Sequence, residues 1–388
     1  MSSVVTSSPD INSLSTDLIH RILSLLPIPS LLRSSSVCKL WRSVVLSSAG
    51  ALDSDNPSSI AAWFFLLGVH NTSSRNHQSF AYDPISSAWH LLPSPRSSPS
   101  SVSSADSLPS PLLFSITSPL FSFSTPFHPF NPSSLPPLHF PRINPLVVTL
   151  RPAPSLSFAV VGGVKFIGNL VDIEDDRLPV EIFDPNSGSW RLHDPLPPEF
   201  HPGNSFSLSS ALLGRRLHVF GISSHFLSSF DLDALSWSPA VPLRPPGLQS
   251  GFLVACRERL LLVGLSNGGT TDASFNLWEI RDGGGSTGFV RIAAMPGDLL
   301  EWLVEGSGED ENKYASIKCV GAGDLVYVFN EEYYSKYPAC VCAVRKGEWR
   351  KLPELPSPFN KFHKVITFSS QVSIQSVLPQ AREGVGGI

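Results

Sequence analysis

Cys340-x-Cys342 is the tightest pairing of metal-type ligands in this 388-residue sequence. On a strand the two thiols share a face, but no Cys/His pair of finger-like spacing is present to complete a zinc set. A structural role is expected for both. Tyr333, Tyr334 and Tyr337 crowd together, but a copper site would need Tyr, His and Cys ligands, and no spacing suggests one. The eleven histidines are scattered. Asp298, Glu301, Glu305, Glu309, Asp310 and Glu311 form an acidic run that suits a solvated helix and loop better than a partner site. Glycoside hydrolysis needs two facing carboxylates, and the sequence places no such pair. A nucleophile elbow, a P-loop and an H-E-x-x-H helix are all missing. The expectation is a chain with no catalytic residue, no metal and no cofactor.

Bulk composition narrows the class. At 42% hydrophobic and 15% charged, the chain can bury a sizeable core. A net charge of −4 gives no reason to expect a nucleic-acid partner. Thirty-six prolines and 27 glycines imply many turns and few long helices. Cys38, Cys256, Cys319, Cys340 and Cys342 are odd in number and irregularly spaced, which suits reduced thiols inside a cell. The longest apolar run, residues 60–69, is about half of a bilayer crossing. The first ten residues lack the basic start and apolar core of a secretory signal. A cytoplasmic and/or nuclear location without membrane contact is the expectation.

Residues 11–48 read differently from everything after them. Ser15 is placed to cap a helix with Asp17 in its first turn, and Leu18, Ile19, Ile22, Leu23 and Leu26 recur at helical spacing. Pro27 and Pro29 should stop that helix, with Ser30 capping the next, which carries Leu31, Leu32 and Val37. A third segment sets Val37, Leu40, Trp41, Val44 and Val45 along one stripe. About forty residues bury too little surface to stand alone, so an apolar face is left for a partner or for the downstream body.

The stretch "LSTDLIHRILSLLPIPSLLRSSSVCKLWRSVV" resembles the F-box motif, most specifically in its "VCKLWR" ending, with Ser15 where that family usually has proline. The resemblance implies docking on the Skp-family adaptor of a cullin–RING ubiquitin ligase. It carries that interface onto Leu14, Leu18, Ile22, Leu23, Leu26, Leu31, Val37, Cys38 and Trp41.

The body repeats an apolar strand, a turn (Asp-centred in the first three copies) and a strand bearing an aromatic, usually with Leu and Pro close behind. Copies occur at 80–95, 181–197, 229–243, 289–296 and 348–356, anchored on Trp89, Trp190, Trp237, Phe289 and Trp349. Their gaps of 101, 47, 52 and 60 residues leave room for one more unit in the first interval. The Ser/Pro-rich stretch 97–140, with Phe114, Phe121 and Phe123, is expected to be that unit in degenerate form, or else a loop. A period near fifty with short strands predicts a mainly β fold, a β-propeller of six blades in which the aromatics pack between blades. It resembles the kelch repeat, and module-then-propeller order resembles the F-box/kelch proteins abundant in plants. Gly162–Gly163, and less clearly Gly268–Gly269, match the kelch double glycine, which the other units lack. The terminal segment 364–377 should complete the first blade and close the ring, and 295–306 should be an inserted helix.

The expected organisation is a disordered tail 1–10, an F-box 11–50, a linker 51–59, a propeller 60–380 and a tail 381–388. The resemblance implies a non-catalytic substrate-recognition adaptor of an SCF-type ligase, contacting a Skp-family adaptor, through it a cullin, and a protein target whose identity the sequence does not disclose. A propeller scaffold outside any ligase, or a propeller enzyme such as a glycosidase, are the alternative readings.

Overall fold

The computed structural model describes residues 14–55, 61–93, 102–104, 111–117, 120–129, 132–151, 155–167, 170–172, 177–201, 203, 207–267, 273–283, 286–305, 314–332 and 336–378. The expected tails 1–10 and 381–388, Gly268–Gly269, Tyr333, Tyr334 and Glu309–Glu311 lie outside them. Contacts divide the chain into Met1–Ala61 with Val372–Ile388, and Ala62–Gln371. The residues from Val372 onward thus group with the helices, whereas the sequence reading carried the propeller on to residue 380.

In the first unit, α1 (Thr16–Ser24), α2 (Ile28–Ser34), α3 (Lys39–Ser47) and α4 (Ala49–Asp55) follow one another closely. Ser15 caps α1, its hydroxyl accepting the Leu18 amide at 3.4 Å. The expected break at Pro29 does not occur. Pro27 is the N-cap of α2, Pro29 sits in its first turn, and Ser30 lies inside the helix. First-turn amides have no intrahelical acceptor, so proline there removes nothing. Cys38 caps α3, its sulfur 3.4 Å from the Trp41 amide.

The second unit is a ring of six antiparallel sheets. Blade 1 holds β1 (Ala62–His70), β2 (Gln78–Asp83) and β3 (Ala88–Leu91); blade 2 holds β4 (Val102–Ser104), β5 (Leu113–Thr117), β6 (Leu120–Ser124) and β7 (Ser133–Leu135). The Ser/Pro-rich stretch is therefore a blade, with Phe114 and Phe121 buried in its core. After β8 (Arg142–Ile143), blade 3 takes β9 (Leu146–Arg151) and β10 (Ser157–Val161), detours through β11 (Val164–Ile167) and β12 (Leu170–Asp172), and resumes with β13 (Val180–Asp184) and β14 (Ser189–His193). Blade 4 comprises β15 (Leu208–Leu213), β16 (Arg216–Gly221), β17 (Phe226–Asp231), β18 (Ser236–Trp237) and β19 (Val241–Pro242). Blade 5 comprises β20 (Leu248–Cys256), β21 (Arg259–Asn267), β22 (Ala273–Gly283) and β23 (Ser286–Ala294). The inserted helix α5 (Gly297–Val304) leads to blade 6, formed by β24 (Ile317–Ala322), β25 (Leu325–Asn330), β26 (Ala339–Ala343) and β27 (Glu348–Lys351).

The last strand, β28 (His363–Gln371), returns to blade 1 and pairs with β1 from Ala62↔Gln371 to His70↔His363. Strands β28, β4, β9, β15, β20 and β24 each touch the next around a closed circle. Closure removes the sheet edges that an open array would expose. The strand ends at Gln371, earlier than the expected 377, and Ser373 then caps a short helix, α6 (Ile374–Val377), which packs on α4.

Blades join through aromatic cores. Trp89, Trp190 and Trp237 stand on the outer strands of blades 1, 3 and 4, and each indole N–H donates to a carbonyl just past the outer strand of the preceding blade. The acceptors are Pro353 at 2.8 Å, Pro136 at 2.8 Å and Asp194 at 3.0 Å. Phe289 has no N–H to give and packs in the core between blades 4 and 5. Trp349 packs between blades 5 and 6, its buried indole nitrogen without an acceptor among the described residues. Past the outer strand of blade 5, the Pro296 carbonyl instead accepts the Leu299 and Leu300 amides of α5 at 3.1 and 3.2 Å.

The turns ahead of these outer strands share one geometry. In the first three of these turns an Asp side chain holds the amide two residues on: Asp83 with Ile85 at 2.9 Å, Asp184 with Asn186 at 3.0 Å, Asp231 with Asp233 at 2.9 Å. The fifth residue is left-handed in each, at Ser87, Gly188 and Leu235, as it is at Gly347 where Ala343 replaces the Asp.

Blade 3 also encloses an ion pair. Arg142 meets Glu181 at 2.6 Å with both side chains fully buried, and donates to the carbonyls of Gly162 at 2.8 Å and Pro179 at 3.0 Å. Burial holds the Arg142 guanidinium below its ordinary value, with Glu181 opposing the shift. A side chain at Gly162, whose φ is +60°, would collide with the Gly203 carbonyl, so the double glycine is required here.

Two stability outcomes are expected in urea denaturation. Trp190→Phe should cost about 1 kcal/mol more than Trp349→Phe, because only the first removes a hydrogen bond; equal losses would show the indole bond to be inert. Glu181→Gln should cost about 3 kcal/mol or more by leaving a buried guanidinium without its countercharge.

Candidate functional site

Helix α1 carries two apolar stripes. Ile19 and Leu23 point inward and are fully buried, joined by Ile28, Leu31, Val44, Val45, Leu52 and Ile374. On the other stripe Leu18, Ile22 and Leu25 recur at i, i+4 and i+7 and are 51%, 41% and 70% exposed. Val37, just before α3, is 63% exposed, and Leu40 and Leu46 are also exposed. A helix needs only one apolar stripe for its own core, so the second is surplus to folding.

The nine residues singled out from sequence divide accordingly. Leu18, Ile22 and Val37 are exposed; Leu14, Leu26, Cys38 and Trp41 are half-buried; Leu23 and Leu31 are enclosed. Cys38 also has a local task as the cap of α3. Leu25 was missed, although its spacing from Leu18 and Ile22 was visible.

The cysteine pair is structural in its surroundings. Cys340 and Cys342 are fully buried on β26, in one apolar cluster with Cys256 and Cys319. Burial pushes both thiols up to about 12 and Cys256 to about 11, the opposite of a ligating or nucleophilic cysteine. Tyr337 is buried, its hydroxyl 2.6 Å from Thr367 Oγ1. Among the described residues no three His, Cys, Asp or Glu side chains are grouped to hold a metal. No described helix is long and apolar enough to cross a membrane.

Among the described residues, a polar cleft of about 770 Å³, open to solvent, lies at the hairpin ends of blades 5 and 6. Arg257, Glu258, Arg259, Asp324 and Arg345 line it, with Ile292 and Val344 supplying apolar surface. Asp324 holds Arg257 at 2.7 Å and reaches Arg345 at 3.9 Å. "RER" at 257–259 was the only sign of it in the sequence, and nothing there linked it to residues 324 and 345.

A small helical module with a spare apolar stripe, accompanied by a closed ring of blades, defines a modular binding protein. Residues 11–49 match the F-box domain. An F-box/kelch-repeat protein of Arabidopsis thaliana is 29% identical over 380 residues, covering 94% of this chain and 92% of its own. A second F-box/kelch-repeat protein of that plant is 26% identical over 340 residues, 80% of this chain and 77% of its own. F-box only protein 6 of Arabidopsis is 24% identical, covering 88% and 69%. The chain thus combines an F-box domain with a six-bladed propeller, and it is similar along nearly its whole length to an F-box/kelch-repeat protein.

The two stripes of α1 respond differently to charge. Leu18→Asp should leave the helical unit folded, with a change within about 0.5 kcal/mol, whereas Leu23→Asp places a carboxylate in the core and should unfold it. Helical circular dichroism and urea midpoints of the two variants distinguish these outcomes.

Proposed function

We propose that this protein is the target-recognition subunit of an SCF-type cullin–RING ubiquitin ligase, with the F-box holding a Skp-family adaptor and the propeller holding the protein to be ubiquitinated. The observation that carries the reading is the Leu18–Ile22–Leu25 stripe, exposed on a helix whose opposite stripe already fills the core. Leu18, Ile22, Leu25 and Val37 would form the adaptor contact. Leu14, Leu26, Cys38 and Trp41 would border it, and Leu23 and Leu31 would support it from inside. Apolar anchors of this kind contribute most of the binding energy in compact interfaces.

In this role the chain supplies no catalytic group. Tethering a target near a charged conjugating enzyme turns an encounter in solution into an intramolecular one at high effective concentration. The ring suits the task because its blades stay rigid while the loops between strands vary. The proposal places the protein in the cytoplasm and/or the nucleus, where such ligases meet their targets.

The test is size-exclusion chromatography of the full chain with a purified Skp-family adaptor, beside a Leu18→Asp, Val37→Asp variant. A stoichiometric complex with the intact chain, lost in a variant of unchanged helicity, is expected. Failure of the intact chain to bind would overturn the ligase reading. Adaptor binding without recruitment of a cullin would leave a propeller scaffold that uses the F-box for another purpose.

A further inference from the structure

Three buried histidines meet at one end of the seam that closes the ring. His70 and His363 face each other as the terminal pair of β1 and β28, their rings edge-on with centroids 4.9 Å apart. His77, from the loop between β1 and β2, accepts the His70 amide on Nδ1 at 2.9 Å. All three are no more than 6% exposed.

Their hydrogen bonds specify protonation. His77 Nδ1 and His70 Nδ1 both receive backbone amides, the latter from Thr72 at 3.3 Å, so neither atom can carry a proton in this arrangement. His363 holds the seam to the loop through Nε2, which donates to the Asn76 carbonyl at 2.9 Å. Its Nδ1 lies 3.1 Å from the Asn360 amide and 2.9 Å from the Asn360 side-chain oxygen. The Phe359 ring packs against His363, 5.5 Å between centroids, and lies so close to Gly68 that a Cβ there would strike it. The imidazoles thus have little room to turn away.

The charged residues of the enclosing segments are Arg75 in the loop before β2, Lys361 before β28 and Lys364 within it, together with the exposed Glu354 further back. Burial, then repulsion from His70 and from His363, holds the His77 imidazole below its ordinary value.

We infer that His77, held between His70 and His363, is a pH-sensitive latch on ring closure, which keeps β28 fastened to β1 while its imidazole is neutral and loosens that end of the seam when it is protonated. The sign follows from linkage. The folded state resists protonation of His77, so the unfolded segment binds more protons below the ordinary histidine value of about 6.5. The latch is fully effective above that value and weakens as pH falls below it. Opening frees the loops around Phe362, which is already 48% exposed, and so alters the propeller rim at blade 1. The inference does not depend on the ligase role.

The test is native-state hydrogen exchange of the full chain at pH 7.5 and 5.5, read by mass spectrometry and corrected for intrinsic exchange. Blade 5, residues 248–294, contains no histidine and serves as internal reference. Peptides covering 62–70 and 363–371 should exchange faster relative to blade 5 at pH 5.5 than at 7.5, the direction set by the lowered His77 imidazole. His77→Asn, which offers an amide oxygen near the place of Nδ1 without titrating, should reduce that acceleration. The inference is overturned if seam and reference peptides change in parallel in the unaltered chain, or if both His70→Asn and His77→Asn keep the full effect. His193 and His225, half-buried and held by that burial below their ordinary values, lie in blades 3 and 4 and do not enter the seam peptides.

Discussion

The pairing of β28 with β1 is the interaction on which the propeller depends. Every other blade draws its strands from one stretch of the chain, with blade 3 interrupted by β11 and β12, so its hairpins form from residues near in sequence. Blade 1 alone borrows its innermost strand from residues about three hundred positions away, and the circle of inner strands exists only once that strand is in place. The sequence cost of this long-range pairing is a wholly buried strand, Ala62–His70, with neighbours on both edges. Such a strand reads as a continuous apolar run because both of its faces are covered.

Within the ring, one device recurs with local variation. An outer-strand aromatic fills the space against the preceding blade, and where it is tryptophan in blades 1, 3 and 4 the indole also ties to that blade's backbone. Blade 5 keeps the packing without the bond, and in blade 6 the helix α5 takes up the carbonyl region where an acceptor would stand. The Asp-centred turns place the aromatic at a constant offset, so turn and anchor work as a single unit of about eight residues. The degenerate second blade lacks this unit and is held instead by Phe114 and Phe121, whose rings reach Phe158 and Trp190 of blade 3.

The helical unit follows a different logic. Its helices are short and its core small, and it nonetheless leaves several large apolar side chains in solvent. A protein selected only for stability would bury or replace them. The surplus stripe and the ring are thus built independently, one from local helix patterning and the other from long-range strand pairing. In the proposed adaptor role that division lets one surface stay constant while the other changes with the target.

The sequence by itself determined whatever depends on near neighbours. Helix periodicity, the Ser15 cap, the Asp turns, the aromatic anchors and the roughly fifty-residue period were all legible, and with them the F-box, the six blades and even the returning last strand. Three features needed the tertiary structure. Pro29 was read as a breaker because a first-turn position cannot be recognised until the helix start is known. Leu23 and Leu31 could not be separated from Leu18 and Ile22 by apolarity, since which stripe faces inward is decided by the packing of neighbouring helices. The meetings of Arg142 with Glu181, of Arg257 with Asp324, and of His70 and His77 with His363 join separate strands and loops. Sequence spacing carries no information about such encounters, because they are set by the register and closure of the ring.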